Sequence, residues 1–188
     1  MRKTLILFGV LLLLAGLSSA TTCTFDTFSG SGQVPDGYCG INWNNQWTYY
    51  DTPQPPYTPH SGLERVFPTN DSPSGTFNFL SPAVFNGAWF AGYTGLSGDL
   101  TYTMLLGGNV VATASMSSNN LSDVPVFFAS GYNGLVDEVI VSSAADFWIM
   151  DDVTYNQSNG NVPEPASLAL FVTGAAGALG AVRRRLKK

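Results

Sequence analysis

The fold is decided by residues 101–115, which read Thr-Tyr-Thr-Met-Leu-Leu-Gly-Gly-Asn-Val-Val-Ala-Thr-Ala-Ser. Two runs of β-branched and apolar residues flank Gly107-Gly108-Asn109, and such a turn favours a tight β-hairpin. Similar runs, separated by turn residues, lie on both sides at 22–28, 75–80, 88–93, 124–129, 135–141 and 146–155. This spacing predicts an all-β fold, an antiparallel β-sandwich of about eight strands.

The last predicted strand favours one form of that sandwich. It reads Phe147-Trp148-Ile149-Met150-Asp151-Asp152-Val153-Thr154-Tyr155. This segment resembles the Ile-Asp-Asp-Val strand that ends many galactose-binding-like and carbohydrate-binding-module sandwiches. The resemblance covers the last third of the central body and implies a jelly roll.

The N-terminus has the three parts of a secretory signal. Arg2 and Lys3 precede an apolar run at 5–14, and small residues lead to Ala20. We therefore predict a signal helix over residues 1–20, cleaved after Ala20 by signal peptidase. An uncleaved membrane anchor is the alternative.

The C-terminus predicts a second sorting segment. Pro163-Glu164-Pro165 is followed by residues 166–182, which carry no charge, and then by a cluster of Arg and Lys at 183–188. Seventeen helical residues reach about 25 Å, the short limit for a transmembrane helix. The cationic end is expected on the cytoplasmic side. We predict a transmembrane helix over 166–182.

This order of Pro-Glu-Pro, short apolar helix and basic cluster resembles the PEP-CTERM sorting signal recognised by exosortases. The resemblance covers residues 162–188. It implies an exosortase as partner, cleavage near Pro163, Glu164 and Pro165, anchoring in the inner membrane until that cleavage, and delivery to the cell surface or an extracellular matrix. The expected organisation is a signal peptide (1–20), one β-sandwich domain (21–161) and the sorting signal (162–188).

The charge of the body, residues 21–161, excludes one class of partner. Arg65 is its one cation, whereas it holds every acidic residue of the chain except Glu164. One cation against twelve acids gives a formal net charge of −11. Such a field repels nucleic acid and attracts divalent cations.

Cys23 and Cys39 both lie in the exported body. An oxidising compartment favours a disulfide between them. Metal binding or reactive thiols are the alternative, although only one histidine, His60, and no third cysteine are present. We predict a structural disulfide.

Calcium is the expected cofactor, if the body has one. In the jelly-roll domains that the body resembles, a structural Ca²⁺ often joins the N-terminal strand to the closing strand, and the resemblance places its ligands at Asp26 and Asp152. Strand alternation puts Asp151 and Asp152 on opposite faces, so only one of the pair is expected at that site. The alternative is that these acids are solvated or accept backbone hydrogen bonds.

Residues 40–64 predict a long ordered loop with a candidate glycan site. Trp43, Trp47, Tyr49 and Tyr50 stand there among Asn and Gln side chains. Exposed rings stack on sugars and amides bind hydroxyl groups, so this mixture favours exopolysaccharide binding. The alternative is that the rings cover one open end of the sandwich.

No convincing catalytic constellation is visible in the sequence. His60 lies in a proline-rich segment without a nucleophile elbow, and no zinc-ligand spacing occurs. We expect a non-catalytic surface or matrix protein. A purely structural envelope protein and a secreted glycoside hydrolase with a carboxylate pair are the alternatives.

Overall fold

The computed structural model describes residues 20–95, 98–144 and 147–157. Within these ranges the chain forms eleven strands, β1 (Thr21–Cys23), β2 (Ser31–Gln33), β3 (Ile41–Asn42), β4 (Trp47–Tyr50), β5 (Arg65–Pro68), β6 (Ser74–Gly92), β7 (Leu100–Leu106), β8 (Asn109–Met116), β9 (Val126–Ala129), β10 (Val136–Ser142) and β11 (Trp148–Gln157). Short 3₁₀ helices occupy Tyr38–Gly40, Thr69–Asp71 and Ser118–Asn120. All strand pairs among the described residues are antiparallel, which confirms the predicted fold class.

The two predicted sorting helices are not part of this description. Except for Ala20, the predicted signal helix (1–20) lies outside the described residues, as does the whole predicted sorting signal (162–188). Among the residues that are described, no helix is long and apolar enough to cross a membrane.

Strand β6 joins the two layers of the fold. The hydrogen-bonded order is β2-β4-β5-β11-β6-β10-β7-β8, with β1 on β11 and with β3 and β9 on β6. Residues 74–78 and Ala83 of β6 pair with β10, whereas residues 83–92 pair with β11. The first layer therefore contains β1, β2, β4, β5, β9, β11 and the second half of β6. The second layer contains β3, β7, β8, β10 and the first half of β6.

Aromatic side chains fill the space between these layers. Phe85 of the first layer lies 4.9 Å from the ring of Tyr102 in the second, and Phe79 of the second lies 4.9 Å from Tyr155 in the first. Tyr102 also stacks on Phe128, at 4.1 Å, and donates a hydrogen bond to the Phe128 carbonyl. Both layers thus share one core, as the predicted β-sandwich requires.

The segment 40–64 differs from the predicted single loop. It contains β3 and β4, and β4 pairs with β2 and β5. The loop proper is therefore the connection from β4 to β5, residues 51–64, which we call the β4–β5 loop.

The predicted disulfide is confirmed just before this segment. Cys23 of β1 is bonded to Cys39, with their Cα atoms 5.7 Å apart.

Candidate binding cleft

The first layer carries a cleft of about 460 Å³ on the face that points away from the core. Alternation along the strands builds this face, because Val66 of β5 is fully buried in the core while its neighbours Arg65 and Phe67 point the other way. The β4–β5 loop contributes Gln54 and Tyr57 to the lining. The lining residues are Tyr50, Gln54, Tyr57, Arg65, Phe67, Phe147, Trp148 and Ile149.

Arg65, the one cation of the body, is held in the cleft wall. Its guanidinium lies 5.0 Å from the centre of the Tyr50 ring, and its Nη1 donates to the Tyr50 carbonyl oxygen at 3.3 Å. Burial lowers the pKa of Arg65, while Tyr50 and Asp51 act in the opposite direction. Stacking on the ring compensates part of the cost of burying the charge and fixes the orientation of both side chains.

Exposed rings continue from the cleft along its rim. Tyr57 lies edge-on to Tyr93 with centroids 5.5 Å apart, and Tyr93 lies edge-on to Phe147 at 5.9 Å. Tyr93 is 47% exposed and Phe147 is 46% exposed. The cleft and its rim together form a continuous aromatic surface.

A buried carboxylate holds the β4–β5 loop, which forms part of the cleft lining. Asp151 of β11 is fully buried, and its Oδ2 accepts from the backbone N–H groups of His60 (2.8 Å) and Ser61 (2.9 Å). The pKa of Asp151 is raised to about 7, mainly by burial and also by the neighbouring charge of Asp152, while the backbone hydrogen bonds oppose the shift. The β4–β5 loop is therefore tied to the strand that forms the cleft floor.

Asp152 makes a second attachment to the same loop. Its Oδ2 lies 2.6 Å from Nδ1 of His60, and its Oδ1 accepts from the Ser61 hydroxyl at 3.0 Å. The His60 ring is also stacked on Trp89, with centroids 3.6 Å apart. These contacts fix both the backbone and the side chains of residues 60 and 61.

The alternation that was expected to place Asp151 and Asp152 on opposite faces is interrupted, whereas the expectation that only one of them serves the calcium site stays a prediction. The pairing of β11 with β6 shifts register between Asp151 and Thr154, and Asp152 has a left-handed backbone (φ 46°). A bulge interrupts the alternation of side chains, so both carboxylates reach the β4–β5 loop. The pattern Asp-Asp alone does not show such a bulge.

The predicted calcium ligands lie close together. Ser61 Oγ is 3.1 Å from Asp26 Oδ2 and 3.0 Å from Asp152 Oδ1. A Cβ on Gly62 (φ +51°) would be 1.9 Å from Asp26 Oδ1, so glycine permits this approach. Within the described residues, no three His, Cys, Asp or Glu side chains are grouped to hold a metal ion. The calcium site stays a prediction.

The four predicted glycan-binding rings are in three different environments. Trp43 and Trp47 are fully buried in the core, and their indole N–H groups donate to the carbonyls of Tyr38 and Thr76. A glycan cannot reach them, so the prediction for these two rings is wrong. Packing in the core also explains where the Trp47 ring lies, because it sits directly over Gly75.

The two tyrosines remain partly exposed on opposite sides of β4. Tyr49 stacks on Phe28 at 4.5 Å, outside the cleft, whereas Tyr50 lines it. Sequence reasoning missed the cleft residues Gln54, Arg65, Phe67 and Phe147. If residues 47–50 had been predicted as a strand, side-chain alternation would have placed Tyr50 on the opposite face from Trp47 and Tyr49.

The comparison with protein families identifies the end of the chain. Residues 161–185 match the family model of the PEP-CTERM protein-sorting motif. The chain carries a PEP-CTERM sorting motif. The motif implies processing by an exosortase, export and sorting to the cell surface.

No curated protein matches this chain, and no solved structure matches it. The family similarity therefore covers the sorting tail and not the β-sandwich or its cleft.

Proposed function

We propose that this PEP-CTERM protein is a non-catalytic surface or extracellular-matrix protein whose sandwich, a jelly roll, binds exopolysaccharide in the aromatic cleft. The observation that supports this most is the composition of the cleft: the rings of Tyr50, Tyr57, Phe67 and Phe147 stand with Gln54 in an open space of about 460 Å³. Ligand sites of this kind have volumes of roughly 300–1,000 Å³ and combine apolar walls with a few polar groups.

The charge of the body favours a neutral glycan. Twelve acidic residues against one cation repel a polyanionic chain at long range. Inside the cleft, ring faces offer contact to the apolar faces of sugars, and the Gln54 amide can donate to and accept from hydroxyl groups. A neutral polysaccharide can contact both the rings and the amide, and the negative charge of the body does not repel it.

The lining of the cleft favours binding over hydrolysis. Glycoside hydrolases use a pair of carboxyl groups on either side of the scissile bond. None of the residues that line the cleft in the described ranges is Asp or Glu. The nearby acids Asp151 and Asp152 are engaged by His60 and Ser61 of the β4–β5 loop.

A glycan array on the exported protein, including neutral and uronate-rich polysaccharides, tests the proposal. We expect binding to neutral chains and no release of reducing ends on prolonged incubation. Release of reducing ends would select the hydrolase alternative. Absence of binding to every glycan would select the purely structural alternative.

We also propose a structural Ca²⁺ at Asp26 and Asp152. The two carboxylates converge on the Ser61 hydroxyl, and oxygen ligands suit this cation. Further ligands would come from backbone carbonyls or water. We expect calcium, measured against EGTA, to raise Tm in the parent protein and in Asp123→Asn, but not in Asp152→Asn. An equal rise in all three would contradict this site.

A further inference from the structure

We propose that strand β8 is a self-association edge, through which two copies of this protein pair their second layers antiparallel. Strand β8 is the last strand of the hydrogen-bonded order, and in the part of the chain that the structure describes it pairs only with β7. On such a strand, alternate residues direct their N–H and C=O groups away from the sheet, where another strand can bind them.

The chemistry of β8 lacks most devices that protect an edge. Its sequence, Asn-Val-Val-Ala-Thr-Ala-Ser-Met, has no charged residue and no proline. Soluble proteins usually place Lys or Pro on an edge strand, shorten it or bend it with a bulge. The one irregularity is near Val110 and Val111, which leaves residues 112–116 in regular register with β7.

Strand β2, at the other end of the hydrogen-bonded order, is protected because it is short. Strand β2 has three residues, Ser31–Gln33, against eight in β8. Within the described residues β1, β3 and β9 also pair with one strand each, but they have only two to four residues. Strand β8 is therefore the longest edge and offers the most backbone groups for strand addition.

Charge favours a second copy as the occupant of this edge. The body carries −11, so two copies repel each other wherever their acids approach. The residues of strand β8 are uncharged in this acidic body, and the carboxylate of Asp99 accepts a hydrogen bond from Ser115 near one end of the strand, at 3.3 Å. Identical strands that pair antiparallel meet their own side chains. A register centred on Thr113 puts Thr113 of the two copies opposite each other and Ala112 of each copy opposite Ala114 of the other, and Thr–Thr pairs of this kind stabilise sheets.

The contact is small, so the expected association is weak in dilute solution. Edge pairing alone buries less surface than a stable dimer interface of about 1,600 Å². Sorting to the cell surface concentrates the protein, which is the condition under which a weak contact forms. Raising the salt concentration should strengthen it, because salt screens the repulsion between acidic bodies.

Sedimentation equilibrium of the exported protein, up to about 1 mM and at low and high salt, tests this pairing. We expect a monomer–dimer equilibrium that salt strengthens. Thr113→Lys, at an exposed position in the middle of β8, should weaken dimerisation about tenfold or more, because the two lysines would face each other across the edge. Gln33→Lys makes the same charge change on β2 and should leave the dimer unchanged.

Both lysines reduce the net negative charge, so general electrostatics would strengthen association in both variants. A selective loss in Thr113→Lys therefore identifies the edge. If that variant does not fold, Val110→Lys replaces it, since Val110 is 59% exposed on the same strand. A parent protein that stays monomeric at all concentrations, or equal dimerisation of the β8 and β2 variants, would overturn the proposal.

Discussion

Nδ1 of His60 lies 2.6 Å from Oδ2 of Asp152 and joins the β4–β5 loop to the closing strand β11. The adjacent Asp151 makes the same connection through the backbone N–H groups of residues 60 and 61. Since this loop supplies Gln54 and Tyr57 to the cleft, the two carboxylates position one wall of the proposed glycan site. Neither carboxylate lines the cleft, so both contribute to the proposed site only by holding the loop.

Stability should fall as pH rises from about 4 to about 7. Burial raises the pKa of Asp151 to about 7, whereas an Asp in the unfolded chain titrates near about 3.9. The folded protein thus holds this proton more tightly, so the contribution of Asp151 is complete below about pH 4 and is lost by about pH 7. Its slope cannot exceed about 1.4 kcal/mol per pH unit.

Denaturant unfolding between pH 4 and pH 8, on protein and buffers depleted of calcium beforehand, checks this prediction. Asp151→Asn should flatten the profile, because the amide does not titrate. The exposed Asp123→Asn should keep the parent slope. An unchanged slope in Asp151→Asn would show that another group causes the pH dependence.

The disulfide should stabilise the N-terminal part of the sandwich. Cys23 and Cys39 are separated by 16 positions in sequence. Closing a loop of that size stabilises by about 3 kcal/mol in the chain-entropy model. The double variant Cys23→Ser, Cys39→Ser should therefore unfold at lower denaturant concentration, and the reduced parent protein should match it. Equal midpoints for the oxidised parent and the double variant would contradict this prediction.

Trp47 should behave as a core residue. It is fully buried and contacts the rings of Trp43, Phe77 and Trp148. Removing a large buried ring typically costs about 3–5 kcal/mol. Trp47→Ala should lose stability on that scale in denaturant unfolding, whereas the partly exposed Tyr57→Ala should change it far less. A Trp47→Ala variant of parental stability would require the ring to lie outside the core.

The tail should be absent from the mature protein. The PEP-CTERM motif at 161–185 implies exosortase processing. In a host with an exosortase, we expect mass spectrometry of the surface fraction to find no peptide from 166–188. An intact C-terminal Arg-rich peptide in that fraction would contradict processing, and a strain without the exosortase is the control.

Local pattern was sufficient to predict much of the fold. The Gly107-Gly108 turn predicted the β7–β8 hairpin, and the paired cysteines predicted the disulfide. The predicted strands 75–80 and 88–93 are instead one strand, β6, because the chain stays extended through Ser81 and Pro82 while its partners change. Such a change of partners depends on tertiary pairing and leaves no local pattern.

The candidate site was harder to predict for a related reason. Tyr50 was predicted from the aromatic and amide composition of the segment around it. The cleft, however, combines Tyr50 with residues far along the chain, such as Phe147. Trp43 and Trp47 satisfy their N–H groups on backbone carbonyls inside the core, which composition cannot distinguish from exposure. The bulge at Asp152 likewise depends on its pairing with β6.

The neighbouring tyrosines of β4 give the most direct test of the proposed glycan site. Tyr50 lines the cleft and Tyr49 faces away from it, so Tyr50→Ala and Tyr49→Ala remove the same ring from opposite sides of one strand. The measurement is the Kd of each variant for one neutral polysaccharide, after near-identical circular dichroism has confirmed folding. We predict about tenfold or greater weakening for Tyr50→Ala, by analogy with the loss of a ring that stacks on a base, and parental affinity for Tyr49→Ala. Equal affinity of the two variants would contradict glycan binding in this cleft.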